Sequence, residues 1–143
     1  MKNALKTGLK LLKWGFQGDV KCVFCRNVVE VRDHLFLVVV IVGQNMEEYY
    51  VCVLLRTPPI CWEDVVEEGL LQWKKIAFKA YTCRLALGST VYHLWQNRNA
   101  LKYDNHPLSE DQLIQKIKWE VRVRLMGKGK FRKTKGNVDI CYK

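Results

Sequence analysis

Acidic side chains are scarce in this chain: 14 Asp and Glu stand against 24 Lys and Arg, and none comes before Asp19. Long apolar runs are missing as well. The longest, Leu35 to Val42, is eight residues, where a membrane-spanning helix needs about twenty, so no membrane partner is expected. The basic N-terminus does not read as a secretory leader, because Lys10 and Lys13 interrupt the apolar stretch a leader requires. Enzymatic signatures are absent too. There is no Gly-x-x-x-x-Gly-Lys-Ser/Thr phosphate loop, no Gly-x-Ser-x-Gly elbow and no His-Glu-x-x-His pair. No catalytic activity is expected, and no internal repeat or long low-complexity segment is found.

What is present fits one small domain. The 143 residues are 49% apolar, enough for a modest core. Six cysteines are many for this length. Without a leader, and with Cys22-Val-Phe-Cys25 followed by His34, they fit a reducing compartment and metal chemistry better than a disulfide framework. The expected location is intracellular, in the nucleus or the cytoplasm. The formal charge of +10 is concentrated: from Lys116 to Lys135 nine basic residues meet one acid, Glu120, for a local +8. Such a patch favours a polyanion, whether RNA, DNA or an acidic surface. The plain alternative is a solvated tail that keeps the chain soluble.

Periodicity organises the rest. Leu5, Leu9, Leu12 and Phe16 recur at helical spacing over Ala4 to Phe16, predicting a short packing helix stopped by Gly15 and Gly18; a targeting helix is the weaker reading. Residues 19–42 carry the Cys-x-x-Cys turn, and the β-branched run Leu35 to Val42 predicts a buried strand. Pro58-Pro59 reads as a linker. From Cys61 the pattern is helical. Glu63, Asp64, Glu67 and Glu68 suit a first turn, and a long helix is predicted from Leu70 to Tyr103 with a kink or break at Gly88-Ser89. Ser109-Glu-Asp-Gln112 is a capping box. The helix it opens places Leu113, Ile114, Ile117, Val121 and Leu125 on one face and ends at Gly127. The expected fold is mainly α, with a zinc-knuckle-like Cys/His element at the N-terminus, a helical bundle and a basic tail. One domain covers residues 1–126 (knuckle 19–42, helical part 61–126), and the tail covers 127–143.

Two constellations could carry chemistry. Cys22, Cys25 and His34 offer soft thiolates and an imidazole, the donors zinc prefers; a redox turn and plain buried thiols are the alternatives. On the last helix Trp119 lies opposite the apolar face, between the directions of Arg122 and Lys116 and next to Lys118. An aromatic ring flanked by cations suits stacking on a splayed base while the cations hold phosphates. The tail adds Lys128, Lys130, Arg132, Lys133 and Lys135 around Phe131. RNA or single-stranded DNA is the expected partner, with strong salt dependence. His93 reads as a packed histidine and His106 as a turn residue.

Four segments in order carry a resemblance: Leu11-Leu-Lys-Trp-Gly15, Cys22-x-x-Cys25, Asp33-His34-Leu-Phe36, and Leu94-Trp95-Gln-Asn-Arg98-Asn99. The stretch from Leu11 to Tyr103 resembles the reverse-transcriptase zinc-binding domain at the C-terminal end of plant non-LTR retrotransposon polyproteins. In that family a basic helix leads into Cys-x-x-Cys, then His-Leu-Phe-Phe-x-Cys, then a helical region with Trp-x-x-Arg-Asn. The resemblance implies a detached remnant of such a polyprotein, without the polymerase core and its paired aspartates. It also implies a structural zinc site. The chain departs from the pattern at the fourth ligand, where Val39 stands, and Val38-Val-Val-Ile-Val-Gly43 replaces the family's Cys-Pro-Phe and following Trp. Zinc binding is therefore expected to be weakened or lost unless Cys52 serves as a substitute. The expected role is non-catalytic binding of nucleic acid. The alternatives are a protein-interaction scaffold with its own protein partner, a redox or metal-buffering pair, and a decayed fragment without selected function.

Overall fold

The computed structural model describes residues 5–38, 61–72, 78–103 and 106–127. Val39, Cys52, Pro58-Pro59 and the tail cations Lys128, Lys130, Arg132, Lys133 and Lys135 lie outside the described residues. Within them the fold is mainly helical, with a Cys/His cluster near the N-terminus followed by a helical bundle. Among the described residues four α-helices run in the order α1 (Gly8–Lys13), α2 (Trp62–Gln72), α3 (Phe78–Lys102) and α4 (Glu110–Met126), with a π-helical turn at His34–Val38. Extended pairing among the described residues is a single antiparallel bridge between Lys21 and Val29.

The first helix is shorter than the expected span Ala4 to Phe16, and it docks differently. Leu9, Leu12 and Phe16, the expected buried stripe, are exposed; Thr7 and Gly8 are buried instead. The reason lies in the backbone. A Cβ on Gly8 would stand 2.1 Å from the Val20 carbonyl oxygen, so the chain approaches the hairpin more closely than a side chain allows. The orphan N–H groups of the first turn find one residue: Gly8 donates to the Glu30 carboxylate at 3.2 Å and Leu9 to the Glu30 carbonyl at 2.9 Å. At the other end Gly15, at φ +82°, donates to Leu12, and Phe16 donates to Leu11. That crossed pair closes the helix in a Schellman turn, which needs a left-handed residue and therefore favours glycine.

The expected strand at Leu35 to Val42 is corrected where it is described. Leu35 and Phe36 lie in the π-helical turn, both are buried, and both belong to one core cluster. Consecutive strand residues point to opposite faces, so a strand could not have delivered both to the same core. That core joins the turn to Trp62 and Val65 of α2, Val91 and Leu94 of α3, and Leu113 and Ile117 of α4. Phe36 and Trp62 meet at 5.7 Å between ring centroids. Burial of each such side chain is worth about 1.5–3 kcal/mol.

Helix α3 runs unbroken through Gly88 and Ser89, against the expected kink or break. The Ser89 hydroxyl donates to Glu120 of α4 and the Thr90 hydroxyl to the Ala86 carbonyl, so these polar residues are satisfied without opening the helix. Helix α4 starts at the expected capping box: Ser109 Oγ accepts from the Gln112 N–H at 3.3 Å, and Gln112 Oε1 accepts from the Ser109 N–H at 3.0 Å. Leu113, Ile117 and Leu125 are buried, with Ile114 and Val121 half-buried beside them. The connection between α3 and α4 is tied by Asn97, whose side chain donates to the Leu108 carbonyl and accepts the Leu108 N–H at 2.7 Å.

Candidate metal centre and basic surface

The turn that carries the two thiols is shaped by its own backbone. Cys22 N–H donates to the Val28 carbonyl at 2.8 Å and Arg26 N–H to the Cys22 carbonyl at 2.7 Å. Arg26 takes a left-handed φ of 56° to close the loop. This folding aims main-chain N–H groups at both sulfurs. Asn27 and Val28 donate to Cys25, and together with His34 they pull its thiol down to about 7. Cys22 is fully buried, and burial pushes its thiol up despite N–H groups from Cys25 and Phe24. Backbone donors thus lower one thiol while burial raises the other.

His34, at the start of the π-helical turn, brings its ring to Cys25, with Nε2 3.1 Å from Sγ. Donor atoms of Cys22, Cys25 and His34 all lie within 4.8 Å of one another, and this cluster could hold a metal ion. A tetrahedral zinc with Zn–S near 2.3 Å and Zn–N near 2.0–2.1 Å requires donor separations of roughly 3.5–3.8 Å. The three residues lie close enough for such a set, with the Cys25–His34 pair, at 3.1 Å, opening slightly to take an ion. Among the described residues no further His, Cys, Asp or Glu joins the cluster.

Two polar locks hold this element in place, and neither was anticipated from the sequence. Arg98 of α3 and Glu30 of the hairpin form an ion pair at 2.6 Å with side chains 2% and 1% exposed. The guanidinium also donates to the Lys6 carbonyl and to Asn99, and lies 4.8 Å from the Trp95 ring centroid. The signal available in the sequence was a lone acid, Glu30, set among Val28, Val29 and Val31. The second lock is Arg32, which reaches Asp33 at 2.8 Å and both oxygens of Glu63 on α2. Glu63, in the acidic first turn of α2, is therefore also an anchor for the hairpin.

On α4, Trp119 is 64% exposed; Lys116 is exposed, and Lys118 and Arg122 are half-buried. Glu120, the one acid in this basic stretch, turns toward α3, where it meets His93 and Ser89, and it also pairs with Arg124. Burial alone would raise Glu120, but the hydrogen bonds with His93 and Ser89 outweigh it and hold the carboxyl below its ordinary value. His93 is buried, as expected of a packed histidine, and His106 is exposed. No helix among the described residues is long and apolar enough to cross a membrane. Comparison of the chain with protein-family models, curated proteins and solved structures found no match.

Proposed function

We propose that this chain is a non-catalytic module that binds single-stranded nucleic acid, RNA or DNA, and that Cys22, Cys25 and His34 form a structural zinc site weakened by the absence of a fourth cysteine, where Val39 stands. Such a module would be a remnant of the reverse-transcriptase zinc-binding domains its sequence resembles. The carrying observation is Trp119, a large aromatic held 64% exposed on a helix face shared with Lys116, Lys118 and Arg122. Base–aromatic stacking is indifferent to sequence, and cations beside the ring meet phosphates. The withdrawal of Glu120 toward α3 leaves that face without its one acid, which supports the same reading. Zinc would link the hairpin to the turn that carries His34, fixing the element on which α1 and α3 converge through Glu30.

The test is a salt titration of binding to a fluorescent oligouridylate or oligothymidylate. Trp119→Ala is expected to weaken binding about tenfold, within the span observed for loss of one stacked base. Lys116→Gln with Arg122→Gln is expected to flatten the dependence of log affinity on log salt by about 1.4, at roughly 0.7 per lost phosphate contact on a single strand. Affinity that is insensitive both to salt and to Trp119 would overturn the reading.

A further inference from the structure

A second exposed tryptophan stands at the opposite end of the chain. Trp14 is 63% exposed at the C-terminal end of α1, followed by the left-handed Gly15. Lys10 Nζ lies 5.8 Å from its centroid. Phe16, two residues on, is 45% exposed and has Lys102 Nζ of α3 at 5.9 Å. Lys13, with Lys10 and Trp14, borders an open groove of about 560 Å³ whose lining also includes Phe36 and Trp62. No acid occurs between Leu5 and Gly18. The two acids that border the groove, Asp33 and Glu63, are engaged by Arg32.

From these features we infer a second contact surface for single-stranded nucleic acid, formed by Lys10, Lys13, Trp14, Phe16 and Lys102. It rests on the reading of the chain as a binder of single-stranded nucleic acid but uses none of the residues of the α4 face. The charge here is positive, and the ammonium groups stand beside the rings. One base stacks on Trp14 and the flanking phosphates meet Lys10 and Lys13. The groove gives a neighbouring base an apolar recess. An anionic membrane is the less fitting partner, because an interfacial helix separates a charged face from an apolar one over several turns. Helix α1 has six residues, and its lysines alternate with its apolar side chains.

The experiment compares full-length wild type, Trp14→Ala, Lys10→Gln/Lys13→Gln, and Trp119→Ala. Each is titrated with a labelled oligothymidylate across a salt series, with polyphosphate of similar length, and with phosphatidylserine vesicles. Trp14→Ala is expected to lose about tenfold in oligothymidylate affinity, as for one stacked base, and nothing for polyphosphate, which has no base to stack. The double lysine variant is expected to flatten the salt dependence by about 1.4, as for two lost phosphate contacts. Both substitutions are at exposed or half-buried positions, and matching unfolding midpoints will confirm that the fold is kept. If oligothymidylate affinity is unchanged in both α1 variants yet falls in Trp119→Ala, the inference is overturned and the α4 reading stands. If the α1 variants weaken binding and Trp119→Ala does not, the inference stands and the α4 reading falls. If wild type binds vesicles but not oligothymidylate, both are overturned.

Discussion

Replacing Arg98 by methionine should be among the most damaging single changes this fold can suffer. The substitution keeps much of the aliphatic stem and removes the guanidinium, leaving the Glu30 carboxylate 1% exposed with the Gly8 N–H as its one remaining partner shown. Stranding one member of a buried pair costs about 3–5 kcal/mol, against a total stability of about 5–15 kcal/mol for a typical domain. Glu30→Leu should cost a similar amount by stranding the guanidinium, with about 1 kcal/mol more for the Gly8 N–H it leaves unbonded. The double variant removes both charges and should be less destabilised than the sum of the singles, with a coupling energy above about 2 kcal/mol. Urea unfolding of the four proteins, followed by helical circular dichroism at fixed zinc, gives all the terms. Raising the salt should leave the coupling nearly unchanged, since a buried pair is poorly screened. Single variants costing less than about 1 kcal/mol, or costs that simply add, would refute the idea that this pair locks the hairpin to α3.

Two further perturbations follow from the site and the helix interface. One equivalent of cobalt(II) or zinc should bind, cobalt giving a thiolate charge-transfer band that Cys22→Ser abolishes, and chelator should lower the unfolding midpoint; a protein that takes up no metal would refute the centre. Glu120→Gln should cost about 1–2 kcal/mol near pH 6, through hydrogen bonds weakened by loss of the charge. Because the folded carboxyl sits below its ordinary value of 4.5, that stabilisation is complete above about pH 5 and disappears as pH falls through the lowered value. The wild-type advantage should therefore narrow as pH falls below about 5 in urea titrations, and a gap independent of pH would count against the pairing.

Legibility in the sequence tracked how local the cause was. The capping box at Ser109 and Gln112 is a three-residue device, and the apolar face of α4 is a simple period, so both were readable. The Cys22, Cys25 and His34 cluster was readable because two donors come from one turn and the third follows closely. The failures were of another kind. The run at Leu35 has the composition of a strand, but the core required Leu35 and Phe36 on the same side, and packing overrode propensity. The stripe of α1 suggested burial, yet the helix is held by Gly8 and by the two acceptors of Glu30, which no periodicity reveals. Arg98 and Glu30 lie 68 positions apart, so their pairing is a property of the folded chain alone.

That separation sets an order of assembly. The Asn97 clasp on Leu108 joins positions 11 apart, and closing a 68-residue loop costs about 1.6 kcal/mol more in chain entropy. Closing the α3–α4 clasp is therefore the less costly step and docking of the hairpin the more costly one. Synthesis on the ribosome runs the other way. The N-terminal segment emerges first, and Glu30 waits for an arginine that leaves the exit tunnel long afterwards. Until then the hairpin has no α3 to dock on, and a metal held by Cys22, Cys25 and His34 would be a contact within the emerged segment. In the finished protein such a centre adds one more constraint; in the nascent chain it would keep the first third in shape until the rest arrives.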